Sequence, residues 1–219
     1  MYQSIRALLF IGFIGLILFS SAGCKGKEKE MEAVISTDYG DITILLYNST
    51  PKHRDNFIKL VQKGFYDDLL FHRVIENFMI QGGDPTSKNA DPTMVLGGGG
   101  PGYEIDPEIG APHLRGALAA ARKPSADKKS SGSQFYIVTG VKVTEQQLEQ
   151  MEMSKKIKYN DTQRKLYLDQ GGYPSLDMEY TVFGEVVSGM DVVDKISKVE
   201  KDGRDRPVKD VRMKIKMIN

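Results

Sequence analysis

The chain has 219 residues, 40% of them hydrophobic and 27% charged, a composition typical of a soluble globular protein with one ordinary domain. The 30 Lys and Arg residues nearly balance the 29 Asp and Glu residues, so no basic excess is available to bind a nucleic acid. A single cysteine excludes an internal disulfide, and together with only three histidines it argues against a dedicated zinc site. We therefore expect no metal, no other cofactor and no nucleic-acid partner.

Residues 1–23 have the pattern of a secretion signal. Arg6 precedes an uncharged run over 7–19, and these 13 residues are too few to span a bilayer as a helix. The run ends in small residues before Cys24, and the sequence SAGC resembles the processing box of bacterial lipoproteins. The resemblance implies cleavage before Cys24 and lipidation of its sulfur.

Residues 24–32 begin with alternating charges and no apolar side chain, which favours a flexible tether between the lipid and a folded domain. We therefore expect a protein of the cell envelope, lipid-anchored to a bacterial membrane and facing the periplasm or the cell surface. The alternative is an ordinary secretion signal that happens to precede a free thiol.

The folded part begins near residue 33 with a predicted β-hairpin formed by 34–37 and 42–47. Thr50 as N-cap, Pro51 at the first helical position and Gly64 as a stop predict a helix over 51–63. Short apolar runs separated by Gly- and Pro-rich loops then predict strands at 69–74, 78–81, 118–121, 135–139 and 181–187.

The C-terminal part predicts a second helix over 189–196, capped by Ser188, and a final strand over 211–217. Residues 142–173 differ from the rest. Thr144 opens a capping-box pattern, and a further helical stretch ends at a glycine pair, so we interpret this segment as a helical insertion on the surface.

The glycine-rich segment 97–102 contains the pattern G-x-G-x-x-G, which occurs in dinucleotide-binding loops. Here Pro101 interrupts the pattern and the following residues are extended, whereas a phosphate-binding loop must open a helix. We interpret the segment as a loop.

Three motifs point to one family. They are FHRVI at 71–75, FMIQGGD at 78–84 and GSQFYI at 132–137, and Gly184 follows in a later strand. In this order and spacing they resemble the cyclophilin family of peptidyl-prolyl cis-trans isomerases over about 33–218, apart from the insertion. The resemblance implies a mainly β domain over 33–219, with a closed eight-stranded antiparallel barrel capped by the two predicted helices.

The resemblance also implies the site, residue by residue. The catalytic residues would be Arg73, Gln81 and Phe78. The substrate-binding residues would be Met79, Ala121, Arg122, Gln134, Tyr136, Leu176 and Tyr180. Ala121 and the backbone at Arg122 would belong to the segment that hydrogen-bonds the substrate chain.

The residue types suit the reaction on chemical grounds. Rotation about an Xaa–Pro bond has a barrier of ~18–20 kcal/mol because amide resonance must be lost, and no covalent step is needed. An apolar pocket must hold the proline ring, and a donor must reach the imide nitrogen or the carbonyl oxygen. Phe78, Met79, Tyr136 and Leu176 suit the first task and Arg73 the second.

Several alternatives remain open. Arg73 could instead be a surface arginine paired with a carboxylate such as Asp84, and Phe78, Met79 and Tyr136 could be simple core residues. The domain could be a non-catalytic peptide-binding or holdase module on the same barrel. A purely structural role in the envelope has no positive feature behind it.

We interpret the three histidines as non-catalytic. His72 should be a hydrogen-bonded structural histidine, whereas His53 and His113 should be surface or loop residues without metal-ligand spacing. The expected partners are proline-containing peptides and unfolded exported proteins, and the expected state is a monomer.

The sequence departs from the family pattern at three positions. Ser175 stands where many members have tryptophan, which predicts weak cyclosporin sensitivity; Tyr180 replaces a histidine and Arg122 an asparagine. The insertion enters just before Leu176, so we expect it to influence which peptides fit.

Overall fold

The structure is a computed structural model that describes residues 31–218. The predicted signal 1–23, the lipidation site Cys24 and most of the predicted tether lie outside the described residues. Within 31–218, no helix is both long and apolar enough to cross a membrane.

Eleven strands and four α-helices are described. The strands are β1 (Met31–Thr37), β2 (Gly40–Leu46), β3 (Leu69–Leu70), β4 (Arg73–Ile75), β5 (Met79–Gly82), β6 (Glu104–Ile105), β7 (Ala117–Ala120), β8 (Ser130–Ser131), β9 (Phe135–Val138), β10 (Val182–Ser188) and β11 (Arg212–Met217). The helices are α1 (Pro51–Gln62), α2 (Glu145–Lys155), α3 (Asp161–Gln170) and α4 (Met190–Ser197). Short 3₁₀ turns occur at Pro85–Ser87 and Pro174–Leu176.

Nine strands form one curled antiparallel sheet in the order β3-β11-β1-β2-β10-β7-β9-β5-β4, and β6 pairs only with β8. The mainly β fold is confirmed, but the expected closed eight-stranded barrel is an open nine-stranded sheet. The reason lies between the edge strands β3 and β4, which are neighbours in the chain. There the chain leaves β11 and joins β5, and the N–H groups of Phe71 and Val74 donate instead to the carbonyls of Val211 and Asp205.

The core lies inside the curled sheet and is covered by α1 and α4. Phe57 of α1 packs between the rings of Tyr66, Phe135 and Phe183, with ring centroids 5.2–5.8 Å apart. Buried residues at helical spacing explain why each helix lies on the sheet.

The local predictions hold with two corrections. The hairpin β1–β2 and helix α1 are confirmed, but the Thr50 side chain makes no capping bond to α1. Helix α4 is capped by Gly189 rather than by Ser188. Gly189 has a φ of 88°, and a Cβ there would lie 2.3 Å from the Asp41 carbonyl oxygen, so this position requires glycine.

The insertion is helical, as predicted, and both of its helices begin with a complete capping box, at Thr144 and at Asn160. It is not simply a surface feature. Leu148 and Tyr167 are fully buried in a small core of its own, and Gly172 bridges to the segments around Leu114 and Val141.

The prediction for His53 is wrong, because this residue lies on α1 with a buried ring. His113 lies in a loop, which was one of its two predicted settings, but its ring is buried as well. His53 lies between Glu108 and Ser130, with its ring nitrogens 2.7 and 3.0 Å from their side-chain oxygens. His113 lies between Asp177 and Tyr136.

His72 is buried in the β3–β4 junction, and its Nδ1 atom has no hydrogen-bond partner among the described residues. Burial lowers the pKa of His72 from its ordinary value of 6.5 to about 4. The ring is therefore neutral in the folded protein at pH 7.

This burial predicts a pH-dependent stability. Between about pH 6.5 and pH 4 the unfolded chain binds a proton at His72 that the folded protein does not. The free energy of unfolding therefore decreases as the pH is lowered through this window, by up to about 1.4 kcal/mol per pH unit. Urea unfolding at several pH values should show a smaller slope in this window for His72→Gln than for the wild type. Parallel stability curves would contradict the assignment.

Candidate active site

The register of three neighbouring strands assembles the centre of the site. Arg73 on β4 lies opposite Gln81 on β5, and Gln81 lies opposite Tyr136 on β9. Because side chains alternate along a strand, their neighbours point into the main core. Those core neighbours are Val74, Ile80 and Ile137. The three site residues therefore share the outer face of the sheet.

Nine of the ten predicted catalytic and substrate-binding residues surround one cavity of about 180 Å³. These nine are Arg73, Phe78, Met79, Gln81, Ala121, Arg122, Tyr136, Leu176 and Tyr180. The tenth, Gln134, lines a larger neighbouring cavity beside the glycine-rich loop.

A chain of polar side chains connects the two cavities. The Gln81 amide donates to Gln134 Oε1 over 3.0 Å, and the Gln134 amide donates to the carbonyls of Gly97 and Gly99. The glycine-rich segment is thus a loop whose carbonyls hold the Gln134 side chain.

The Arg73 side chain is 43% exposed, and its guanidinium makes only long contacts. Its Nη1 lies 3.5 Å from Gln81 Oε1, and its Nε lies 3.9 Å from Asp205 Oδ2. Since a guanidinium has five donors, Arg73 retains capacity to bind a ligand in the cavity.

The alternative pairing of Arg73 with Asp84 does not occur. The buried Asp84 carboxylate accepts from the N–H groups of Thr86, Gly97 and Gly99. Burial alone would raise the Asp84 pKa, but these hydrogen bonds hold that pKa below its usual 3.8.

The apolar part of the cavity belongs to a second cluster, separate from the main core. Met79 and Tyr136 are buried in this cluster, with Phe78, Leu176 and Tyr180 packed against them. Met79 and Tyr136 are therefore well buried, but they are not residues of the barrel core.

Arg122 has a fixed side chain. Its guanidinium lies over the Tyr180 ring at 4.8 Å and donates to the Glu179 carbonyl and carboxylate. The backbone groups of Ala121 are already used, since its N–H donates to the Gln134 carbonyl and its carbonyl accepts from Ser131.

Two contacts that Phe78 and Tyr136 make at this cavity were not predicted from the sequence. Tyr173 lies 4.5 Å from Phe78, ring centroid to ring centroid, while Ser175 on the same loop is exposed. The Tyr136 hydroxyl also lies 3.0 Å from Nε2 of a buried histidine, His113. The available signal was the hydroxyl of Tyr136, because a buried phenol usually needs a partner.

No cluster of three or more His, Cys, Asp or Glu side chains suited to a metal ion occurs in residues 31–218.

The family model for the cyclophilin type peptidyl-prolyl cis-trans isomerases matches residues 33–217. Two proteins named as peptidyl-prolyl cis-trans isomerases, from Staphylococcus haemolyticus and Staphylococcus aureus, are each 34% identical over 186 residues. The matches cover 84% of this chain and 89% and 90% of those proteins.

Solved structures agree. A Cryptosporidium parvum cyclophilin type isomerase superposes with a TM-score of 0.65 at 26% identity, covering 87% of this chain and 99% of that one. A second structure of that enzyme, determined in the presence of the dipeptide Ala-Pro, gives 0.62 at 27% identity, covering 86% of this chain and 99% of that one.

This chain therefore belongs to the cyclophilin family of peptidyl-prolyl cis-trans isomerases. The expected family, fold class and enzymatic activity are confirmed.

The contact between Asp84 and the glycine-rich loop predicts different effects of alanine at two adjacent glycines. A Cβ at Gly99 would lie 2.2 Å from Asp84 Oδ1 and 2.9 Å from Thr86, whereas a Cβ at Gly98 meets nothing within 4 Å. Gly99→Ala should lower the free energy of unfolding by about 1–3 kcal/mol and also lower kcat/KM, because the loop must move away from Gln134. Gly98→Ala is the matched control and should stay within about 0.5 kcal/mol of the wild type. Equal urea midpoints for the two variants would contradict this geometry.

Proposed function

We propose that this enzyme catalyses cis-trans isomerisation of Xaa–Pro bonds in the cavity lined by Arg73. We propose further that it acts as a monomer on unfolded exported proteins. The supporting observation is the junction, within one cavity, of a half-exposed arginine and an apolar aromatic pocket. The proline ring needs the apolar pocket, and the bond that rotates needs the hydrogen-bond donor.

The proline ring would lie among Phe78, Met79, Tyr136 and Leu176. This contact fixes one side of the rotating bond while the preceding residue turns. The substrate chain would pair with the backbone at Arg122, since the Ala121 backbone groups are already bonded within the protein.

Arg73 would donate to the imide nitrogen as it becomes pyramidal, or to the turning carbonyl oxygen. A charge-assisted hydrogen bond of ~1.5–3 kcal/mol corresponds to about one to two decades in rate. Gln81 and Gln134 would keep Arg73 and the peptide in register through their paired amides. The remaining acceleration would come from holding the peptide in a turned geometry.

The determination of the Cryptosporidium enzyme structure in the presence of the dipeptide Ala-Pro supports proline-containing peptides as ligands of this chain. The signal pattern and the SAGC sequence before the domain support an envelope location with a lipid on Cys24.

Replacing Arg73 with alanine should lower kcat/KM by about 10- to 100-fold, because the donor to the rotating amide is lost. Exchange NMR on a short Xaa-Pro peptide with the purified full-length protein measures the rate directly. Arg212→Ala, which removes an arginine on β11 outside the cavity, is the matched control.

Two results would count against this proposal. Equal rates for Arg73→Ala and wild type would remove Arg73 from the mechanism. Peptide binding by the wild type without faster exchange would make the domain a peptide-binding or holdase module.

Lipidation predicts that attachment of the processed protein to the membrane requires Cys24. In a bacterial host, the wild-type chain should sediment with membranes, and Cys24→Ala should appear in the soluble fraction or retain an uncleaved signal. A wild-type protein that fractionates as soluble, with the same mobility as Cys24→Ala, would exclude the anchor.

A further inference from the structure

A buried polar network lies beneath the proline pocket. The Tyr136 ring lines the pocket, and its hydroxyl lies 3.0 Å from His113 Nε2. His113 Nδ1 lies 2.8 Å from Asp177 Oδ1, and the hydroxyls of Tyr159 and Tyr167 donate to Asp177 Oδ2 over 2.7 and 2.6 Å. Four of the five side chains come from outside the sheet.

One tautomer of His113 satisfies every member of the network. With the proton on Nδ1, His113 donates to the Asp177 carboxylate and Nε2 accepts the O–H of Tyr136. Burial raises the pKa of Tyr136 well above 10, so the phenol keeps the proton it donates.

Asp177 also fixes the loop that forms a wall of the pocket. Its carboxylate accepts from the backbone N–H of His113 over 2.7 Å, and the His113 carbonyl accepts from the N–H of Tyr173 over 2.8 Å. Leu176 immediately precedes Asp177, and Tyr180 follows three residues later. The Asp177 carboxylate therefore fixes the loop that carries Leu176 and Tyr180 and, through His113, the Tyr136 ring.

The insertion closes this network. Tyr167 lies on α3 and Tyr159 lies between α2 and α3, with their rings in edge contact at 5.3 Å. Burial raises the pKa of both phenols, so both remain donors to the carboxylate.

Docking of the insertion does not by itself require this arrangement. Two apolar side chains would pack it against the sheet without burying a carboxylate, and an incompletely satisfied buried carboxylate is costly. What the polar network adds is a direct connection from the insertion to Tyr136.

We propose that Tyr159 and Tyr167 of the insertion are positioning residues for the proline pocket, acting through Asp177 and His113 on Tyr136. The inference rests on the proposed function of this cavity as the proline site. It makes the insertion part of the substrate-binding apparatus.

The expected effect is on binding rather than on the rotation step. The Tyr136 ring contacts the proline in the ground state and in the transition state alike, so a displaced ring weakens both complexes equally. Loss of both phenol hydroxyls should therefore raise KM and leave kcat nearly unchanged.

The test compares the double variant Tyr159→Phe/Tyr167→Phe with the wild type as full-length proteins. Exchange NMR over a range of Xaa-Pro peptide concentrations gives kcat and KM separately. We expect KM to rise about tenfold, with kcat within about twofold of the wild type. Tyr66→Phe is the matched control, because it removes a buried hydroxyl that donates to Ser133 in the main core, and it should leave KM unchanged.

A merely structural role would give a different pattern. It would reduce kcat in proportion to the folded fraction, with an unchanged KM, and that result would overturn the inference. Unchanged kcat and KM would overturn it as well.

A second comparison tests the route through Tyr136. In a Tyr136→Phe background the hydrogen bond to His113 is absent, so the double variant should change KM by less than about twofold. A full tenfold effect in that background would contradict transmission through Tyr136.

The exchange NMR measurement over a range of Xaa-Pro peptide concentrations also distinguishes failure of this inference from failure of the isomerase proposal. If the wild type binds peptide without accelerating exchange, the catalytic proposal fails. The dissociation constant from chemical shifts then replaces KM, and an unchanged constant in the double variant would overturn the positioning role.

Discussion

The pairing register of β4, β5 and β9 is the constraint on which the site depends. It places Arg73, Gln81 and Tyr136 side by side on the outer face of the sheet, while the residues between them fill the core. A slip of one residue in any of these strands would exchange the two faces. Core packing therefore also fixes the site, because the buried neighbours Val74, Ile80 and Ile137 hold the register.

Two buried carboxylates, Asp84 and Asp177, fix the loops that surround the cavity on the sheet. Asp84 organises the glycine-rich loop, whose carbonyls hold Gln134 on one side of the cavity. On the apolar side of the cavity, Asp177 fixes the loop that carries Leu176, contacts Tyr136 through His113, and accepts a hydrogen bond from Tyr159 of the insertion. In both cases a charged acceptor satisfies several donors of an irregular segment, which gives loops a defined position without regular secondary structure.

Local features were predictable from the sequence because their causes lie within a few residues. The β1–β2 hairpin, helix α1 and the capping box at Thr144 each depend on short-range patterns. The residues around the cavity were also found, but through family motifs, since no local pattern brings Ala121 or Leu176 to the β4–β5 hairpin.

The errors concern long-range contacts. His113 was expected at the surface or in a loop, and the burial of its ring was not foreseen because its partner Asp177 is 64 residues away in the chain. The break between β3 and β4 depends on carbonyls near the C-terminus, and the requirement for Gly189 arises from the Asp41 carbonyl. None of these partners leaves a periodic signal in the sequence around the residue concerned.

The proposed site holds the proline ring of the substrate against Met79 and Tyr136 on the outer face of the sheet. The most direct measurement is the intermolecular nuclear Overhauser effect between methyl-labelled methionines and a bound Xaa-Pro peptide, with Met79 assigned through Met79→Leu. The account predicts contacts from the Met79 methyl to the proline ring protons in both the cis and the trans peptide. Contacts confined to other methionines, such as the exposed Met153 of α2, would show that the peptide binds elsewhere.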